Sequence, residues 1–79
     1  MPGIFHRFDG RNLRKLREER GLSRELLAVS CGVGYQQIYS LETRLRNPSR
    51  GLLLRLAAVL QVQPSDLLKA ELELDEAAR

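Results

Sequence analysis

Apolar residues recur three and four positions apart along most of this chain, and glycine, proline or a capping residue interrupts the pattern at short intervals. From Asn12 to Arg20, Leu13 and Leu16 keep helical spacing among charged residues, and Gly21 stands where a helix end wants a left-handed residue. Ser23 is an N-cap for RELLAVSC, whose inward stripe is Leu27, Ala28 and Cys31. Gly32 breaks that segment after barely two turns, and Val33 plugs the bend. A third helix starts at Gly34 or Tyr35 and runs to about Thr43, with Ile38 and Leu41 inward. Asn47-Pro48-Ser49 is a loop ending in another cap, because Pro48 bars helix at Asn47. Gly51 to Leu60 is the most apolar segment; Leu53, Leu54, Leu56, Ala57 and Leu60 give it a wide buried face. Gln63-Pro64 opens a last helix, with Ser65 and Asp66 in its first turn. Five short helices and no clear strand predict an all-α domain.

The two ends are less regular. Met1 to Gly10 reads as an arm carrying Ile4, Phe5 and Phe8, with Asp9 or Asn12 available to cap the first helix. In the tail KAELELDEAAR, Leu68, Leu72 and Asp75 fit a helix, whereas ELEL alternates like a strand. A helical extension that frays toward the C-terminus is the preferred reading. The organisation is then an arm over 1–10, a helical domain over 11–69, and an extension over 70–79 that is a candidate for dimerisation.

Seventy-nine residues allow one small domain. A hydrophobic share of 43% against a charged share of 29% places it among folded soluble domains rather than disordered tails. The net charge of +3 is unevenly spread: residues 1–50 hold ten Lys/Arg against five Asp/Glu, and residues 51–79 three against five. One basic half suggests a face that meets a polyanion, though ordinary surface charge accounts for these counts as well. A single cysteine excludes an internal disulfide, and with a single histidine in the arm, His6, it makes no metal site. Cys31 reads as a small buried apolar residue. No metal or cofactor is expected. No stretch is apolar enough to span a membrane and no secretory signal is visible, so the expected location is cytoplasmic.

The junction between the second and third helices carries the strongest signal. Two helices separated by little more than Gly32 and Val33 must cross steeply, as in a helix-turn-helix. Such a crossing needs a small side chain at the contact (Ala28), a glycine at the bend four residues on (Gly32), and inward apolar residues at Val33, Ile38 and Leu41. All are present. The stretch LRKLREERGLSRELLAVSCGVGYQQIYSLETRLRNPSRGLLLRLAAVLQVQPSDLL, residues 13–68, resembles the phage repressor/Cro-like helix-turn-helix family, also called XRE. LREERGLS, the A-x-x-x-G-V turn, IYSLE, RNPS and the leucine-rich helix ending in QVQPSDLL carry the resemblance. It implies a five-helix lambda-repressor-like fold, with the helix-turn-helix at helices two and three. It also implies binding to double-stranded DNA, generally as a dimer on a palindromic operator, in bacterial or phage transcription regulation.

At 100° per residue, Ile38 and Leu41 point inward and Gln36, Ser40 and Thr43 lie opposite them. Gln37 and Tyr39 flank that stripe, and Tyr35 sits at the exposed first turn. A recognition helix turns such groups toward base edges; glutamine both donates and accepts, matching adenine, and tyrosine packs on a thymine methyl or bonds a phosphate. Tyr35, Gln36, Gln37, Tyr39 and Ser40 are the base-reading candidates. The resemblance implies a phosphate contact from Arg24, at the start of the second helix, where the helix terminus also favours an anion. Thr43, Arg44 and Arg46, after the recognition helix, are further phosphate candidates, with Arg50 beyond them. The family often pairs an arginine of helix one with a glutamate ending helix three, which here are Arg17 and Glu42; this pair is expected to be structural.

The chain departs from the family pattern at several points. Arg44 and Gln61 stand where glycines usually end helices three and four, and Gly34 replaces the usual Ser or Thr cap. Leu26, Val29 and Leu52 fill positions that are usually polar and exposed. With Ile4, Phe5, Phe8 and the tail leucines they form an apolar surplus, read as a dimer or partner interface. The leading expectation is a sequence-specific DNA-binding regulator, a repressor that occupies its operator as a homodimer. The alternative is an interaction module such as an antitoxin or antirepressor-like partner. No nucleophile, base and orienting group cluster, so an enzyme is not expected.

Overall fold

In the computed structural model, which describes residues 3–44 and 46–73, three of the four α-helices begin at a side chain that caps them. Asp9 accepts the Asn12 N–H at 3.2 Å and starts α1, Gly10–Glu19. Ser23 Oγ accepts the Leu26 N–H at 3.0 Å and starts α2, Arg24–Cys31. Ser49 Oγ does the same for Leu52 at 3.2 Å ahead of α4, Arg50–Leu60. Helix α3, Tyr35–Thr43, follows Gly34 with no side-chain cap. Each cap satisfies a first-turn N–H that the helix leaves open.

The helix ends divide by chemistry. Gly21 (φ +67°) and Gly32 (φ +72°) take the left-handed conformation that only glycine adopts freely. The two positions where arginine and glutamine replace the usual glycine behave differently from each other. Arg44 leaves α3 in an extended conformation (φ −124°, ψ 158°). Gln61 keeps the left-handed cap (φ 59°, ψ 45°), at a cost of about 1 kcal/mol, and its N–H and that of Val62 still reach the last carbonyls of α4.

The ends of the chain correct the five-helix expectation. The segment after Gln63 is one 3-10 turn, Pro64–Leu67, closed by the Asp66 carboxylate accepting the Gln63 N–H at 2.9 Å. Beyond it the tail is a strand, not a helix: β2, Leu68–Glu73, pairs antiparallel with β1, Gly3–Phe8, in the segment read as an arm. The register sets Phe8 opposite Leu68, Arg7 opposite Lys69, and Ile4 opposite Leu72. As a strand the tail pairs its inward-facing backbone groups with those of the arm, a partner that a helical tail would not have given them. Residues 74–79, the rest of the predicted extension, lie outside the described residues. The architecture is a four-helix body with a two-stranded ribbon joining its ends, and the helical core of the prediction stands.

The core is aliphatic. Leu13, Leu27, Ile38, Leu52, Leu56, Leu60 and Leu67 are its largest apolar side chains, with Phe8, Ala28, Cys31, Leu41 and Ala57 filling between them. Two leucines of α4 exchange their expected places: Leu52 is fully buried and Leu54 is half exposed. The helix is rotated so that Leu52, Leu56 and Leu60 make its inner row at four-residue spacing. Leu26 and Val29 do stand on the surface of α2. At the start of α1 the backbone of Gly10 lies against the last turn of α3, so close that a Cβ there would run into the Leu41 carbonyl. Among the described residues no helix is long and apolar enough to cross a membrane.

Candidate nucleic-acid interface

Helix α3 is seated by what lies beneath it. Ala28 and Cys31 of α2, both buried, let the two helices approach, and the left-handed Gly32 turns the chain within three residues. Ile38 and Leu41 enter the core, and Glu42 follows them inward with its carboxylate fully covered. Arg17 of α1 grips that carboxylate at two points, Nε to Oε2 at 2.6 Å and Nη2 to Oε1 at 3.1 Å. Its Nη1 donates to the Leu22 carbonyl at 2.7 Å, in the turn between α1 and α2. One guanidinium thereby links α1, the turn and α3, and the geometry is the bidentate fork that arginine makes with a carboxylate.

With that side inward, the outer surface of α3 falls into two flanks. Tyr35 and Tyr39, one turn apart, lie toward the start of α2, their rings stacked with centroids 6.2 Å apart and planes 27° apart. Gln36, Gln37 and Ser40 lie on the other side and, with Arg46 and Asn47 of the following loop, line an open groove of about 320 Å³. Gln36 and Gln37 are exposed and Ser40 is half-buried at the floor. The five base-reading candidates therefore share one surface, divided into an aromatic ridge and an amide-lined groove.

The phosphate candidates are not equivalent. Arg44 and Arg46 are exposed beyond the end of α3, and Arg50 is exposed in the first turn of α4. Thr43 is exposed, but its hydroxyl donates to the Tyr39 carbonyl at 2.7 Å. Arg24 is turned inward: Nε donates to Glu42 Oε1 at 2.9 Å and its guanidinium carbon lies 5.1 Å from the centre of the Tyr39 ring. The hydrogen bond to Glu42, with a smaller contribution from nearby Tyr35, holds the Arg24 pKa above its ordinary value.

Three further residues border this surface without a conspicuous sequence signal. Asn47 has an exact local role in its loop, since its Oδ1 accepts the Phe8 N–H at 3.1 Å and ties the groove to β1. Arg11 and Lys69 line a cleft of about 290 Å³ with Arg44 at the far end of α3. Their convergence depends on β2 returning beside β1, which local periodicity does not report.

Comparison with known proteins agrees with this geometry. The helix-turn-helix family profile HTH_3 matches residues 13–67. A predicted HTH-type transcriptional regulatory protein of Methanocaldococcus jannaschii, MJ1164, is 38% identical over 60 residues; the match takes in 76% of this chain and 19% of that protein, so the chain spans about a fifth of its relative's length. Among solved structures, the restriction-modification controller protein C.AhdI from Aeromonas hydrophila superposes with a TM-score of 0.69 at 38% identity, over 73% of this chain and 88% of C.AhdI. SinR of Bacillus subtilis, a master regulator for biofilm formation solved in complex with DNA, gives a TM-score of 0.69 at 36% identity, over 73% of this chain and 94% of that one. With the steep α2–α3 turn, the buried arginine–glutamate tie and a match over most of its length, the chain belongs to the XRE-type helix-turn-helix family, a family of DNA-binding transcriptional regulators.

Proposed function

We propose that this protein is a sequence-specific double-stranded DNA-binding transcriptional regulator, which represses by occupying a palindromic operator as a homodimer. The observation that carries the reading is the uncharged outer surface of α3: Tyr35, Gln36, Gln37, Tyr39 and Ser40 occupy a helix whose inner side is fully committed to the core. A solvated helix ordinarily carries Lys and Glu there. Groups that both donate and accept hydrogen bonds suit base edges in a major groove, with the N-terminal half of the helix entering first. Arg44 and Arg46, with Thr43 beside them, supply phosphate contacts beyond the helix end, and Arg50 extends the same margin. SinR, similar over most of this chain, was solved on DNA, which supports the reading.

The testing experiment is binding-site selection from a random duplex pool. The expected outcome is an enriched site with two-fold symmetry and half-site centres about 34 Å apart, one helical turn. A pool that enriches nothing overturns the reading. Enrichment of a single, unsymmetrical half-site with monomeric sedimentation at micromolar concentration overturns the homodimer while leaving DNA binding in place.

A second reading has its own support. Val29 is 77% exposed, and Leu26 and Leu54 are half exposed, which is apolar surface that DNA contact does not use. SinR is also known in a complex with the SinI protein. On this reading the domain is an interaction module of antitoxin or antirepressor type, alone or together with DNA binding.

A further inference from the structure

Arg24 opens α2 in a position suited to a phosphate, yet its guanidinium is engaged on two sides within the protein. Glu42 Oε1 receives both Arg24 Nε at 2.9 Å and Arg17 Nη2 at 3.1 Å. The carboxylate is fully covered, so the Arg24 side chain is anchored at a point that does not move with solvent. From that anchor the guanidinium reaches over the Tyr39 ring, 5.1 Å from its centre, and Tyr39 in turn stacks on Tyr35. Tyr35, Tyr39 and Glu42 lie at i, i+4 and i+7 of α3, which is the helix edge that faces the start of α2. The chain of contacts runs unbroken from the buried Arg17–Glu42 tie to the exposed ring of Tyr35.

Resting on the DNA-binding reading above, we propose that Arg24 is a positioning residue: it fixes the ring orientation of Tyr39, and through it Tyr35, and so sets which base pairs the aromatic ridge accepts. A tyrosine on an open helix surface samples several side-chain rotamers, and each presents its ring edge and hydroxyl to a different place. A planar cation held over one ring, 5.1 Å from its centre, by a buried carboxylate removes most of that freedom before DNA arrives. Lysine cannot substitute: it carries the charge but neither the planar face nor an Nε–H set back along the chain.

The two roles for Arg24 separate experimentally. Binding of wild type, Arg24→Lys and Arg24→Gln to the selected duplex and to its single-base variants is measured across salt concentrations. Positioning predicts that both variants shift base preference at the pairs nearest Tyr35 and Tyr39 by about tenfold, the size of one base contact, with the log–log salt slope unchanged. Tyr39→Leu, which spares the Arg24–Glu42 bond, should shift the same pairs, and the Arg24→Lys/Tyr39→Leu double variant should shift them no further. A phosphate role predicts instead that Arg24→Gln weakens all duplexes alike and flattens the slope by about 0.9, while Arg24→Lys stays near wild type; that result overturns the proposal. In the DNA-free protein, proton spectra of the tyrosine rings should differ from wild type in both Arg24 variants, at unchanged backbone amide dispersion. Unmoved ring signals overturn positioning even if no duplex is enriched, the result that would separately remove the DNA-binding reading.

Discussion

Arg17 and Glu42, on helices that the chain separates by a whole helix-turn, meet in a two-point ion pair with the arginine side chain 9% exposed and the carboxylate not exposed at all. Replacing Glu42 with Gln leaves Arg17 and Arg24 facing a neutral amide in a covered site. The expected loss is about 3–5 kcal/mol of folding stability, a large part of what a domain of this size has. Urea unfolding followed by far-ultraviolet circular dichroism measures it. Arg17→Met together with Glu42→Met should lose less than the two single changes added together, because no buried charge of the pair is then left alone.

Gln36→Ala and Ser40→Ala remove polar groups from the groove beside α3 without touching the core. Each should reduce affinity for the selected duplex by roughly 1–3 kcal/mol per lost base contact and leave the unfolding midpoint in place. Titration of labelled duplex checks the first and thermal unfolding the second. Operator affinity that survives both changes removes the base-reading assignment.

Arg44→Ala and Arg46→Ala act on the exposed margin beyond the same helix. Both should weaken all duplexes in proportion and lower the slope of log affinity against log salt by about 0.9 each. Base preference should not change. A variant that altered preference and spared the slope would belong to the base-reading set.

Gly10→Ala places a methyl group against the Leu41 carbonyl, where backbone rather than a flexible side chain must give way. A loss of about 2 kcal/mol or more is expected, on the scale of overpacking a filled site. Gly51→Ala is the control. A Cβ at that helical position meets nothing within 4 Å, so alanine should add about 0.5–1 kcal/mol. Equal midpoints for the two variants would remove the close approach of α1 to α3.

Burial raises the pKa of the Cys31 thiol, with Arg55 opposing in smaller measure. A raised folded value means that the native state keeps its proton where the unfolded chain has lost it, so stability is complete below the unfolded thiol pKa and declines as pH climbs toward the folded one. The decline should vanish in Cys31→Ala relative to its own neutral-pH stability. Alkylation of Cys31 in the native protein should proceed only through opening of the core.

What the chain spells out locally was legible. Ser23 and Ser49 announce their helices, Gly21 and Gly32 their ends, and the stripes Leu27/Ala28/Cys31 and Ile38/Leu41 their buried sides. What depends on distant partners was not. The tail offers both periods, and only pairing with the arm, some sixty positions away, selects the strand. Leu52 and Leu54 are the same residue type two apart, and the choice between them belongs to how α4 is rotated against its neighbours. Arg24 reads as a free cation at a helix start until Glu42 and Tyr39 are brought beside it. The candidate surface on α3 follows from helical geometry alone, because the two inward residues fix what is left outside.

The ribbon of β1 and β2 also imposes an order on biosynthesis. β1 is the first described element to leave the ribosome and its partner is the last, while α1 to α4 depend mostly on neighbours nearby in the chain. Closing so long a loop carries an entropic penalty that the helical body, once formed, has already met. Until then GIFHRF is an unpaired strand edge on a nascent chain. Its complement, LKAELE, comes last in the described chain, and an edge left unpaired for that interval is the kind of feature at which copies of a chain can exchange strands.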